Sequence, residues 1–381
     1  MDTLDRAADA GRFAALTVPV HHASTLTFAT TRAFLDRRTQ LFDGYSYGLY
    51  GTPTTRALED MVARIEGGRR SIAVPSGLAA VTGPLLALLR AGDHVLIADC
   101  VYGSTRDFCT ELLEGMGVGV TFFPGDADSI AGLLTPATRL VLLETPGYYT
   151  MELQDIDAIA REAHAVGALV MADNSYGFGL SNLFAHGVDI VATALSKYGA
   201  GHSDLCMGSI TVADDALFRR LKLAISRLGI GIAAADAYLA IRSLQTLPVR
   251  LAEHARRTAP VVDWLAQRPE VAAVLYPHTT GPQRDRHARF FSSGHGLLAM
   301  RLRQASIARV SAMLDAMQVF RIGASWGGVH SLIAPFDLSA ARRTASPQQE
   351  GWLLRLHIGL EPLDGLLADL DAGLARFNAA S

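Results

Sequence analysis

Lysine is nearly absent from this chain. The 34 basic residues comprise two lysines, Lys197 and Lys222, and 32 arginines. A surface lysine can be exchanged for arginine, but an amine that must form an imine cannot. Lys222 lies in the arginine-studded stretch FRRLKLAISRL and reads as a solvated surface residue. Lys197 follows the apolar run DIVATAL, where desolvation works against the ammonium form. It is either a lysine that snorkels to water or a reactive amine kept for its chemistry. Asp173 follows the apolar run ALVMA and reads either as a helix N-cap or as an acid placed for a cation. Pro75-Ser76-Gly77-Leu78 follows SIAV, and small residues at such a turn expose backbone N–H groups. That makes an ordinary strand-to-helix turn or an anion cradle. Together the three features form one chemical set. An imine-forming lysine, an acid for a pyridinium nitrogen and a phosphate cradle are what pyridoxal 5′-phosphate (PLP) requires.

The elements that must position these groups are legible from the apolar pattern. Short runs SIAV, HVLIA, RLVLLE, ALVMA, DIVATAL and GSITV alternate with helical stretches such as LAAVTGPLLALLRAG and DIDAIAREAHAVG. Brief buried strands separated by helices imply an α/β fold with a mostly parallel sheet covered on both faces. Sites in such sheets lie beyond the carboxyl ends of the strands. Residues 1–54, rich in aromatics and turn formers, read as an N-terminal arm. Residues 55–246 read as the cofactor-binding α/β domain. Residues 247–381, with long helices and the runs AAVLY, LLAMRL and LLRLHIG, read as a smaller α+β domain. The stretch LEDMVARIEGG predicts a helix with Leu58, Met61, Val62 and Ile65 on one face, stopped at Gly67-Gly68.

Composition narrows the partners. A net charge of −3 gives no electrostatic reason to expect nucleic acid or an anionic membrane. No apolar run reaches the roughly 20 residues of a membrane helix, and MDTLDRAADAGRF lacks the apolar stretch of a signal peptide. Cys100, Cys109 and Cys206 are odd in number and widely spaced, which predicts no disulfide framework and no metal motif. A reduced, cytoplasmic setting follows as an expectation. No GxGxxG joins a strand to a helix, so a nicotinamide site is not expected.

At these residues a family becomes recognisable. The chain resembles the Cys/Met-metabolism PLP-dependent enzymes, the cystathionine synthases and lyases, and most of all their β-lyase branch. The resemblance runs through YGLYGTPT, PSGLAA, YGSTRDFC, ETPGYYTMELQDIDAIA, ADNSYGFG, LSKYGAGHSDLCMGSI, SWGGVHSLI and LLRLHIGLEPLDGLLADLDAGL. It implies the aspartate aminotransferase-like fold (fold type I), a PLP cofactor, a small amino-acid substrate and carbon–sulfur bond chemistry by α,β-elimination. γ-Elimination or γ-replacement in the same family, a specialised biosynthetic role and a catalytically idle relative are the alternatives.

The resemblance also implies roles for individual residues. Lys197 would carry the cofactor as an imine and later remove the Cα proton. Asp173 would pair with the ring nitrogen. Gly77 and Leu78 N–H groups and the Ser196 hydroxyl would hold the phosphate, and Tyr102 would stack on the ring. Arg355 would clamp the substrate carboxylate, with Ser325 and Trp326 shaping the pocket. Tyr47 would reach the site of a neighbouring subunit in a homotetramer built from two dimers. Two positions depart from the family pattern. Leu49 stands where an arginine usually reaches the partner's phosphate. Ala324 stands where γ-active members tend to carry a glutamate and β-lyases a bulky aromatic, which implies an enlarged pocket.

Overall fold

The computed structural model describes residues 15–279, 283–338 and 351–380. The start of the chain, read above for a signal sequence, lies outside the described residues. Among those described, no helix is long and apolar enough to cross a membrane, and no cluster of His, Cys, Asp and Glu could hold a metal ion.

The central sheet contains β1 (Arg70–Val74), β2 (His94–Ala98), β3 (Gly119–Phe123), β4 (Thr138–Glu144), β5 (Leu169–Asp173), β6 (Ile190–Thr193) and β7 (Gly208–Val212). Their order is β1-β7-β6-β5-β4-β2-β3, and β7 alone runs against its neighbours. The expected mostly parallel sheet is therefore present. Strand β3, which the reading above lacks, begins among glycines and carries fewer aliphatic residues than its neighbours. A second sheet holds β8 (Val271–Leu275), β9 (Leu297–Leu302), β10 (Arg321–Ile322), β11 (Leu332–Asp337) and β12 (Trp352–His357), in the order β10-β11-β12-β9-β8. Strand β12 is central there, between β11 and β9.

Alternation along β12 explains how a charge is delivered from a buried strand. Leu354 and Leu356 face one apolar cluster, packed with the C-terminal helix Leu363–Ala379. Leu353 faces the other cluster, which contains Leu195, Tyr198 and Trp326 from the turns near the central sheet. With a period of two, Arg355 shares the side of Leu353 and points toward the first sheet.

Helix Pro53–Glu66 starts and stops as its sequence dictates. Thr52 forms a reciprocal capping box with Thr55, Pro53 takes the first turn, and Gly67 closes the helix at φ 75°. Its buried side presents two carboxylates, Glu59 and Glu66.

Lys222 corrects an expectation. It is not a solvated surface residue: it is 5% exposed, and its Nζ lies 2.9 Å from Glu59 Oε1. The same oxygen accepts the Ala73 N–H at 3.1 Å. Helix Asp215–Arg227 is amphipathic, and Lys222 falls on its buried side beside Leu221 and Ile225, with arginines on the other. The local density of arginine obscured that side. Both lysines of the chain therefore sit in specific surroundings.

Candidate active site

Three parallel strands end side by side. Glu144 of β4 is in register with Asp173 of β5, which is in register with Ala192 of β6. Beyond β6 the chain turns through Ala194, Leu195 and Ser196 to Lys197. The lysine is thus four residues past Thr193, in the turn rather than on the strand, and half-buried. The Gly201 N–H donates to Lys197 O at 2.8 Å, and Arg250 Nη1 to Tyr198 O at 2.8 Å, which fixes the turn. Gly327 (φ 86°) crosses it so closely that a Cβ would come within 2.7 Å of the Lys197 carbonyl carbon.

The lysine side chain meets the second sheet's loop. Its Nζ donates to Ser325 Oγ at 2.9 Å and lies 5.6 Å from the centre of a Trp326 ring. Burial lowers the amine's pKa, and the Arg355 charge lowers it further. Asp173 is near enough to feel the lysine charge. Burial raises its pKa, while bonds from Ser175 and the Lys197 charge hold it down. Its Oδ1 accepts the Ser175 N–H at 2.9 Å, and no helix starts there. The N-cap reading of Asp173 is therefore replaced by a strand-end acid in a tight turn.

The remaining expected residues fall into two groups. Tyr102 follows the end of β2, is 39% exposed, and donates its N–H to Glu144 Oε2 at 2.7 Å. Arg355 is 2% exposed, with Nη1 3.4 Å from Tyr148 O and Nη2 donating to Ala324 O. These two converge with Lys197, Asp173, Ser325 and Trp326. Gly77 and Leu78 open helix Gly77–Leu88, where Ser76 caps the Ala79 N–H. A Cβ on Gly77 would lie 2.4 Å from Ala194 Cβ, so glycine lets this helix start approach the lysine turn. The Ser196 hydroxyl turns toward Met207 O at 3.4 Å, a contact weak enough to be exchanged for another acceptor. Tyr47 is 45% exposed, its ring beside Tyr50, and no described contact joins it to Lys197, Asp173 or Arg355. Leu49 packs against Gly231.

Three more residues belong to the constellation. Glu144, buried at the end of RLVLLE, has its pKa pushed well up by burial and by the Asp173 charge. An acid closing an apolar run is the pattern that singled out Asp173, so that signal was present. Glu66 accepts from Asn174 Nδ2 at 2.8 Å and from Thr193 Oγ1, joining the ends of β5 and β6. Tyr148 lies with its ring 4.8 Å from that of Tyr102 and 4.3 Å from the Arg355 guanidinium. Neither of these two carries a local sequence signal, because their partners lie far off along the chain.

The donor set fits PLP. Ser76 takes the Ala79 and Ala80 N–H groups, so the helix start still offers those of Gly77 and Leu78 to a phosphate. A carboxylate suits the ring nitrogen, and a desolvated amine suits the aldehyde. A mostly parallel sheet with these groups at its strand ends, beside a smaller, mostly antiparallel sheet, defines a fold-type-I PLP enzyme. The chain belongs to the Cys/Met metabolism PLP-dependent enzyme family, which matches residues 4–375, and PLP is its cofactor. It is 41% identical over 368 residues to a protein of Rhizobium johnstonii named as a cystathionine beta-lyase, covering 95% of this chain and 91% of that protein. It is 37% identical over 374 residues to the L-alanine/L-glutamate racemase of Wolbachia pipientis wMel, covering 94% and 92%. The cystathionine gamma-lyase of Lactobacillus plantarum, solved with L-serine, superimposes with a TM-score of 0.86 at 27% identity, covering 97% of this chain and 95% of that one.

Proposed function

We propose that the chain is a carbon–sulfur β-lyase that converts a sulfur amino acid to a thiol, pyruvate and ammonia. The observation that supports this most is that a largely desolvated amine, Lys197, and the Arg355 guanidinium bond to adjacent residues of one loop, Ser325 and Ala324. When bound, PLP would supply an electron sink for the pair left at Cα.

The chain's own residues divide the remaining work. Gly77, Leu78 and Ser196 hold the phosphate, Tyr102 covers the ring, and Asp173 keeps the ring nitrogen protonated. Arg355 fixes the substrate carboxylate through charge-assisted hydrogen bonds, which orients the Cα–H bond toward Lys197. The Lys197 amine, held by Ser325 and with its pKa lowered by burial, takes that proton in its uncharged form. As the Cα–H bond breaks, its electron pair moves toward Cβ, the Cβ–S bond breaks, and the thiolate leaves to be protonated. The released three-carbon enamine hydrolyses to pyruvate and ammonia. A dimer completed by Tyr47 from the neighbouring chain, paired into a tetramer in the cytoplasm, fits an exposed aromatic on the arm.

A panel of cystathionine, cystine and S-alkyl cysteines, read for pyruvate and 2-oxobutyrate, tests the assignment. Pyruvate that disappears in Lys197→Ala is the expected result. 2-Oxobutyrate alone would give the γ-lyase reading. D-Alanine from L-alanine without pyruvate from any thioether would give the racemase reading, for which a 37% identical relative speaks.

A further inference from the structure

Tyr148 is the aromatic residue whose neighbours define it most closely. Its backbone is fixed: the N–H donates to Cys100 O at 2.9 Å, and Gly147 packs so tightly on Cys100 that a Cβ would meet it at 2.5 Å. Its ring is half-buried and neighbours the two residues assigned above to the cofactor ring and to the substrate carboxylate. On one side is Tyr102 at 4.8 Å, tilted by 52°; on the other is the Arg355 guanidinium at 4.3 Å. Phe336 meets the same guanidinium at 5.1 Å and packs edge-on against the Tyr148 ring at 6.2 Å, so the carboxylate clamp lies against a pair of touching aromatic rings. The Tyr148 hydroxyl reaches Ala324 O at 3.5 Å. The phenol of Tyr148, from the first sheet's loop, thus reaches the backbone at position 324, where the side chain is small.

From this placement we infer that Tyr148 is a specificity-determining residue, selecting cysteine thioethers whose sulfur substituent is uncharged and apolar. The inference rests on the lyase reading above. Three physical points support it. A thioether sulfur gains from contact with an aromatic ring, and an apolar substituent gains further by covering it. A second amino-acid head, as in cystathionine, brings an ammonium and a carboxylate that lose hydration against a neutral ring. Arg355, the guanidinium beside that ring, is already assigned to the substrate's first carboxylate. Tyr148 itself stays neutral, since burial raises its phenol pKa.

The test compares kcat/KM of the holoenzyme for S-phenyl-L-cysteine and for L-cystathionine, in the parent and in Tyr148→Ala. The parent should prefer the S-phenyl substrate, and Tyr148→Ala should lower the ratio of the two by about tenfold, the loss of one aromatic contact. Tyr148→Phe keeps the ring and should keep the preference, which separates the ring from its hydroxyl. Binding of L-homophenylalanine, which has no β-leaving group, should weaken in Tyr148→Ala by a similar factor in calorimetry. A parent that prefers cystathionine overturns the inference. So does an unchanged substrate ratio in a Tyr148→Ala enzyme that keeps its visible cofactor absorbance. If Tyr148→Ala does not fold, a parent preference for cystathionine, or a loss of the S-phenyl preference in Tyr148→Phe, decides against it. Both of those results leave the lyase assignment standing, because pyruvate is still formed. No pyruvate from either substrate overturns both.

Discussion

An amine beyond the end of β6, half withdrawn from water and close to the Arg355 guanidinium, is hard to keep as ammonium. Asp173 has the complementary problem: burial penalises its ionised form, the Ser175 hydrogen bonds relieve it in part, and a nearby cation relieves it further. A protonated ring nitrogen supplies that cation once the cofactor is bound. Asp173→Asn keeps the shape and removes the charge. Loss of one hydrogen bond to a charged partner should lower kcat about 100-fold. The visible spectrum should still show bound cofactor, and a kcat within a factor of two of the parent would count against the assigned role. These two residues were legible because each ends an apolar run with a group too costly to place there without purpose. Arg355 was legible only through resemblance: one arginine among 32 carries no label. Tyr148 was invisible for a different reason. Its importance comes from Tyr102 and Arg355, which the fold brings to it from other elements.

At the scale of elements, helix Pro53–Glu66 ties the ends of the strands that deliver Asp173 and Lys197. Glu66 holds Asn174, the residue after Asp173, and Thr193, the last residue of β6. The Asn174 amide is oriented by Ser181, whose hydroxyl donates to its Oδ1 at 2.9 Å. Burial pushes the Glu66 carboxyl up to about 7, with the Asp173 charge adding to the effect and the two hydrogen bonds opposing it. The folded chain therefore keeps this proton to higher pH than the unfolded chain, which releases it near 4.5. The stabilisation is fully present below 4.5 and is lost as pH rises through 7. The side-chain amide of a Glu66→Gln variant never ionises. The variant's stability relative to the parent should therefore rise between pH 4.5 and 7 by up to about 3 kcal/mol. Denaturant midpoints at several pH values measure it, and a pH-independent difference would refute it.

The same helix carries Glu59, paired with Lys222 inside the protein. Lys222→Ala leaves that carboxylate buried without its partner and should cost about 3 kcal/mol. The measurement is the unfolding midpoint, and a shift below about 1 kcal/mol would restore the surface reading of Lys222. The helix itself was legible from its apolar face and its Gly67 stop. What it holds was not, since a buried acid on a helix gains meaning only from the strand ends it meets.

At the scale of the whole molecule, the two sheets each bring half of the site, and the exposed arm suggests a further contribution from outside the chain. Most strands of both sheets could be read from apolar runs. Which strands lie adjacent could not, because β1 pairs with β7 across most of the central sheet's sequence. Assembly is one step further from the sequence. Tyr47, exposed on the arm beside Tyr50, makes no described contact with Lys197, so it serves a site only if another copy presents one. Symmetry turns that into arithmetic. In a two-fold dimer that shares its sites, a mixed pair of Tyr47→Ala and Lys197→Ala chains has one site with both lesions and one with neither. Co-expression in equal amounts makes half of the dimers mixed, so about a quarter of parent activity should return. Each variant alone should be nearly inactive. If Tyr47 serves the site of its own chain, every site in the mixture carries a lesion and no activity returns. Pyruvate formation by the co-purified mixture decides between these outcomes, and the visible absorbance of each separate variant shows that both chains have folded.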